Sequence, residues 1–362
     1  MITANAHIAA MAPYAMADIS VPAGKRLISL AQNESALPPS PSAIAAGCEA
    51  FSGSQLYPDA SWSELTAAIA EVHGLDADDI LCAGGSMELI ACLMQCYAGP
   101  GVEVLSTQFG YAFFRSASLA AGADYAAAPE QDFTVNIDAV LTAVTPATRI
   151  VCVANPGNPT GTRIARSELV RLRDGLDDDI LLLIDEAYGE FPDVPGEHTF
   201  DLAARGNTVI LRTFSKAYGL AGMRVGWGVF PPMIAAEMRK LLVANNVSVT
   251  SQAAAAAAIH DQSYMQMVCA DTSERCDRFA DDMRAIGLVV PQSHTNFALL
   301  RFADADAAAD ADRALRAEGI VLRGMAGYGL PDCLRATIGS EADMNEVTWH
   351  LTDWSRKETL TC

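Results

Sequence analysis

Along the first forty residues apolar and polar positions follow no period, and VPAG and ALPPSPS mark extended or turning chain. From residue 42 the pattern becomes regular. SAIAAGCEAF and WSELTAAIAEVHGL carry apolar positions at helical spacing, the second closing near Gly74. DDILCAGGSMELIACLMQCY predicts a short strand, a glycine turn and a buried helix. EVLSTQ, ADYAAAP, RIVCVAN, ILLLIDEA and TVILRTF are short apolar runs that suit strands buried on both faces, and helical stretches such as RSELVRLRDGL lie between several of them. This alternation predicts βαβ units around a largely parallel sheet up to about residue 250.

Beyond that point the segment SQAAAAAAIHDQSYMQMVCADTSERCDRFADDMRAIGL turns to long helical periodicity and bridges to a smaller unit. There NFALLRF, IVLRGM and CLRATIG predict strands around the helix DADAAADADRALRAEG. The expected organisation is an N-terminal arm or lid over 1–41, a large α/β domain over 42–250 with three α-β-α layers, and a small α+β domain over 251–362.

Composition adds limits more than identity. A chain of 362 residues with 51% apolar and 19% charged residues has enough material for a sizeable core and for more than one unit. A formal charge of −20 argues against nucleic acid or an anionic membrane as partner. The nine cysteines follow no pattern and include no C-x-x-C pair, which favours free thiols in a reducing compartment. The N-terminus has no basic segment followed by a sustained apolar core, so no signal peptide is expected, and no uncharged apolar stretch is long enough to span a membrane. A cytoplasmic protein is the expectation.

Candidate chemistry gathers just after the strand runs, where ligands of open α/β sheets bind. Gly84-Gly85-Ser86 joins a strand to a helix, so its N–H groups can approach an anion; the plain alternative is a glycine turn with a serine cap. NPGNPTG at 155–161 offers a rigid loop that presents Asn158, more punctuation than a simple turn requires. Asp185 ends an apolar run and is costly to bury without a cation, for which a protonated pyridine nitrogen would serve. Tyr188 stands three residues on, in reach of a phenolate oxygen on the same ring; an Asp cap or a structural ion pair is the plain alternative. The fourth place, TFSKAYGLAGMRVG, holds Lys216, one of four lysines against twenty arginines, with Ser215 before it and Arg224 after it. Only an amine that can lose its proton can attack a carbonyl, a property arginine lacks. A phosphate cradle, a ring-oxygen clamp, a pyridinium partner and an amine are together the parts that hold pyridoxal 5′-phosphate.

N-P-G-N-P-T-G, D-E-A-Y and S-K-x-x-x-L-A-G-x-R-x-G together resemble the class I/II aminotransferases of fold type I, most closely the histidinol-phosphate aminotransferase branch. LYPD, FGYAFFR, SHTNF and CLRATIG find counterparts in the same order, so the resemblance runs nearly end to end. It implies that Lys216 attaches the cofactor and shuttles a proton, Asp185 keeps the pyridine nitrogen protonated, and Asn158 and Tyr188 bind the phenolic oxygen. Tyr111 would stack on the ring, while Ser86, the backbone at Met87, Ser215 and Arg224 hold the phosphate. Tyr57 would reach that phosphate from a neighbouring subunit, which implies a homodimer. Arg335 would bind the substrate carboxylate, with Arg323, Tyr14 and Asn33 around it. The activity implied is amino-group transfer between an amino acid or amino-alcohol phosphate and a 2-oxo acid in ping-pong half-reactions. Decarboxylation, racemisation or elimination on the same scaffold is the alternative. The chain departs from the branch pattern at Met87, at Ser35, Ala36 and Pro38, and at Asn245.

Overall fold

The computed structural model describes residues 2–13, 17–192 and 197–361. A short helix, α1 (Ala6–Ala9), and a two-residue strand, β1 (Ile28–Ser29), precede α2 (Pro41–Ala50) and α3 (Ser63–His73). The regular alternation then runs β2 (Ile80–Ala83), α4 (Ser86–Tyr97), β3 (Glu103–Thr107), α5 (Ala112–Ala120), β4 (Asp124–Ala128) and α6 (Ile137–Ala143). It continues through β5 (Thr148–Ala154), α7 (Arg166–Gly175), β6 (Leu181–Asp185), β7 (Thr208–Thr213), β8 (Gly226–Val229), α8 (Pro232–Leu241) and α9 (Val249–His260). The remainder is α10 (Gln262–Ala285), β9 (Phe297–Arg301), α11 (Ala305–Ala317), β10 (Ile320–Val321), β11 (Arg323–Gly324), β12 (Cys333–Thr337) and α12 (Glu341–Thr361).

Seven strands form the main sheet in the order β2-β8-β7-β6-β5-β3-β4. β3 pairs in parallel with β4 and β5, as β6 does with β5 and β7, whereas β8 runs antiparallel to both β2 and β7. β2 therefore points the same way as the parallel set, and six strand ends open onto one edge. β5, β6 and β7 are almost wholly buried, as strands covered on both faces by helices must be. This is the α/β fold with layered helices that the pattern predicts.

β8 is the strand the pattern does not announce. GWGV offers one large apolar residue between two glycines, and the glycines serve contact rather than propensity. A Cβ at Gly226 would run into the backbone of Gly85 and Ser86, and one at Gly228 into Leu211. Trp227 supplies the burial, with no exposure at all.

A second core lies around the three-stranded antiparallel sheet β11-β12-β9. Ile28 and Leu30 belong to it, because β1 pairs in parallel with β10 in the register Ile28↔Ile320. Chain preceding the large sheet is thus built into the C-terminal unit. The long helical stretch divides at Asp261, whose side chain accepts from Tyr264 N and starts α10. α9 keeps its alanines in the large core, where small side chains let it lie close against α2 and α3. The expected start of the small unit at residue 251 falls inside this helix. α10 then crosses between the cores, with Met265 and Cys269 in the first and Cys276, Phe279 and Met283 in the second. Among the described residues no helix is long and apolar enough to cross a membrane.

Leu183 sits in the middle of β6 with no exposure. Leu183→Ala should lower the unfolding free energy by about 2–5 kcal/mol, through lost burial and the cavity left behind. Urea unfolding followed by circular dichroism measures this, and a change below about 1 kcal/mol would contradict the packing described.

Candidate active site

The six strand ends and the small unit enclose a cavity of about 970 Å³. Five of the six strands deliver residues to it: Ser86 and Met87 follow β2, Tyr111 follows β3, Asn158 follows β5, Asp185 ends β6 with Tyr188 just beyond, and Ser215 and Lys216 follow β7. Arg224 enters from the turn before β8, and Arg323 and Arg335 from β11 and β12. Ser86 and Arg335, 249 positions apart in sequence, therefore face one space.

Asp185 is 4% exposed, and its Oδ1 accepts from Ala187 N at 3.1 Å. Among the described residues no cation forms an ion pair with it. Burial pushes its carboxyl up to about 7, against the opposing pull of the Ala187 N–H bond and of Lys216. Lys216 shows the converse. Burial and the nearby Arg335 charge lower its amine to about 8, and Nζ donates to Asn33 O at 2.9 Å. Nζ also lies 5.7 Å from the centre of the Tyr188 ring.

Asn33 holds the two units together at this point. Its backbone is left-handed, at φ 56°. Its N–H donates to Thr337 Oγ1 at 2.9 Å, its carbonyl accepts from Asn296 Nδ2 at 3.0 Å, and its Nδ2 donates to Tyr188 Oη at 2.7 Å. Tyr188 is buried, which drives its phenol pKa upward, and it meets Phe297 edge-on at 5.3 Å. Asn158 Oδ1 accepts from Arg335 Nη1 at 2.5 Å, while Arg335 Nη2 donates to Ala31 O and the guanidinium lies over Phe297. Arg323 stands opposite Arg335 in the antiparallel register. Like charges directly opposite repel, so a site built this way favours an anion between them.

At the far side, Gly85 adopts φ 101° and α4 begins at Ser86. Arg224, itself left-handed at φ 53°, crosses the turn: Nη1 donates to Ser215 Oγ at 3.4 Å and Nη2 to Gly84 O at 3.3 Å. A Cβ at Gly85 would collide with that guanidinium. The result is a recess with a helix N-terminus, two hydroxyls and a guanidinium, the donor set for a phosphate.

One expected residue among those described is not in the cavity. Tyr57 is 88% exposed and lies outside its lining. Tyr14 lies outside the described residues. Sequence reasoning also passed over a buried group behind Asp185. Arg212 pairs with Glu186 at 2.8 Å and with Glu190 at 3.1 Å, all three side chains nearly inaccessible. An arginine inside the apolar run TVILRTF, in the strand that follows a pair of glutamates in DEAYGE, was the available signal. Thr337 and Asn296, which hold Asn33, had none beyond membership of CLRATIG and SHTNF.

The Asp185 shift carries a pH signature. Its folded pKa is raised, so the folded state holds a proton the unfolded state has lost between about pH 4 and 7, and stability falls across that window. Asp185→Asn should therefore make the ligand-free protein more heat-resistant than the parent at pH 8, with the difference vanishing below pH 4. Melting curves at several pH values test this. Equal melting temperatures at pH 8 would contradict an uncompensated buried carboxylate.

Comparison with known proteins agrees with this geometry. The family model "Aminotransferase class I and II" matches residues 25–351. A histidinol-phosphate aminotransferase of Rhodospirillum centenum is 43% identical over 353 residues, covering 97% of this chain and 98% of that one. One from a Ruegeria species is 42% identical over 90% of each. Among solved structures, histidinol-phosphate aminotransferase from Sinorhizobium meliloti in complex with pyridoxal-5′-phosphate superposes with a TM-score of 0.86 at 28% identity, over 92% of each chain. With a match across most of its length and a cavity assembled from the motif residues, the chain belongs to the aminotransferase class I and II family.

Proposed function

We propose that this protein is a pyridoxal 5′-phosphate-dependent histidinol-phosphate aminotransferase that works as a cytoplasmic homodimer. The observation that carries the cofactor reading is Asp185, a buried carboxylate without a cationic partner in the described chain, across a cavity from a lysine of lowered pKa and beside a phosphate-type recess. A pyridinium nitrogen would neutralise Asp185, the recess of Ser86, Met87, Ser215 and Arg224 would take the phosphate, and Lys216 Nζ would attach the aldehyde carbon. Asn158 and Tyr188 would bind the ring oxygen, and Tyr111 would cover one face of the ring. When bound, the cofactor supplies an electron sink that makes the substrate α-hydrogen acidic.

The chain's own residues do the rest. Asp185 ionises more readily against a cation, so it favours the protonated ring over a neutral one. Lys216 Nζ, kept partly neutral by its lowered pKa, would take the proton from the substrate α-carbon once the substrate amine has displaced it from the cofactor. Asn33, donating to Tyr188 Oη, holds the phenol in place and leaves its own O–H free to donate to the ring oxygen of a bound cofactor. Arg323 and Arg335 grip the anionic end of the substrate, a phosphate in one half-reaction and a carboxylate of the amino donor in the other. Tyr57, exposed here, would complete the phosphate site of a second copy. Its 88% exposure on a single chain is what supports the dimer. The full-length relatives carrying the same activity name support histidinol phosphate as substrate and favour transamination over decarboxylation, racemisation or elimination.

Lys216→Ala should abolish both the visible absorbance of the attached cofactor and turnover, and retained absorbance would reject Lys216 as the attachment point. Arg335→Lys should raise KM for histidinol phosphate by about tenfold with a smaller change in kcat, because a lysine cannot reproduce the paired N–H contacts. In a panel of amino donors scored by cofactor absorbance, a response to acidic or aliphatic amino acids with none to histidinol phosphate would reject the substrate assignment.

A further inference from the structure

Behind the phosphate recess, outside the cavity wall, three side chains form a continuous hydrogen-bonded chain that ends on the glycine turn. Trp62 Nε1 donates to Asn246 Oδ1 at 3.2 Å, and Asn246 Nδ2 donates to Glu88 Oε1 at 2.8 Å. Glu88 Oε2 accepts from Gly84 N at 2.7 Å. Both carboxylate oxygens are thus engaged, one by each neighbour. The fit is close: a Cβ on Gly84 would meet Glu88 Oε2, and on the opposite side Gly226 of β8 presses against the backbone of Gly85 and Ser86.

The N–H groups of the turn can be accounted for one by one. Gly84 donates to Glu88, Gly85 to Ala83 O at 2.7 Å, and Glu88 to Gly85 O at 3.1 Å. Those of Ser86 and Met87 open α4, where no intrahelical acceptor exists, and both residues line the cavity. A carboxylate in the first turn of a helix that receives an anion works against that anion by charge. Its presence at residue 88 is accounted for by geometry. Tied to two donors and absent from the cavity lining, it satisfies the Gly84 N–H and braces the turn from which the Ser86 and Met87 N–H groups open α4.

We propose that Glu88, braced by Asn246 and Trp62, is a positioning residue that sets the Gly84–Met87 turn for the cofactor phosphate. The inference rests on the cofactor reading above, and the test separates the two. The full-length protein, freed of cofactor, is titrated with pyridoxal 5′-phosphate and with pyridoxal, which lacks the phosphate, and binding is followed by absorbance and tryptophan fluorescence. Glu88→Ala should lose about tenfold or more in affinity for the phosphorylated ligand while its affinity for pyridoxal changes less than about threefold. Glu88→Gln, which retains one acceptor, should fall between. Adding Asn246→Ala to Glu88→Ala should cost nothing further, because both act through one chain of contacts.

Equal losses for the two ligands, unchanged affinity for pyridoxal 5′-phosphate in Glu88→Ala, or additive losses in the double variant would each overturn the proposal. If Glu88→Ala does not fold, the ratio of the two affinities in Glu88→Gln and Asn246→Ala decides the same question. Parent protein that binds neither ligand would reject the cofactor reading itself.

Discussion

The structure depends on one constraint: a carboxylate at the end of a wholly buried strand has no cation paired with it among the described residues. Asp185 closes β6, which is paired on both sides and covered by helices, so water cannot solvate its charge. Among the described residues one backbone donor, Ala187 N, answers it, and the rest of the demand is left unmet. An apolar residue at 185 would suit the strand better. The acid is retained at a cost to the empty protein, a pattern expected where a ligand supplies the missing charge.

Around that point the other groups are placed by the sheet and by Asn33. Parallel strands share a direction, so their carboxyl ends form one edge, and loops unrelated in sequence meet there. Asn33 contributes a different kind of connection. Its backbone and side chain bind Thr337 and Asn296 of the small unit and Tyr188 of the large one, and its carbonyl receives Lys216. β1 carries this residue into the second core through its pairing with β10. The cavity is therefore closed by a segment that precedes the large sheet in sequence yet packs with the C-terminal unit.

Two polar assemblies, one buried and one partly buried, lie outside the cavity lining and support it. Arg212 with Glu186 and Glu190 underlies the segment carrying Asp185 and Tyr188, and a Cβ at Gly189 would strike its guanidinium. Glu88 with Asn246 and Trp62 underlies the phosphate turn. The first spends buried charges on geometry, which is sensible only where position matters more than net stability.

Read alone, the sequence determined the strand and helix alternation, the strand ends where chemistry collects, and the motif residues from Ser86 to Arg335. These are legible because burial on both faces writes a continuous apolar run, and because glycine, proline and a lone lysine stand out locally. It did not reveal β8, whose two glycines answer a close approach of other chain, nor the division at Asp261, nor the C-terminal helix α12. It was equally silent on the pairing of β1 with β10, on Arg323 facing Arg335, and on the partners of Asn33 and Glu88. Those are contacts between residues far apart in the chain. Local pattern records what a residue needs from its environment, and only the packed structure decides which distant residue supplies it.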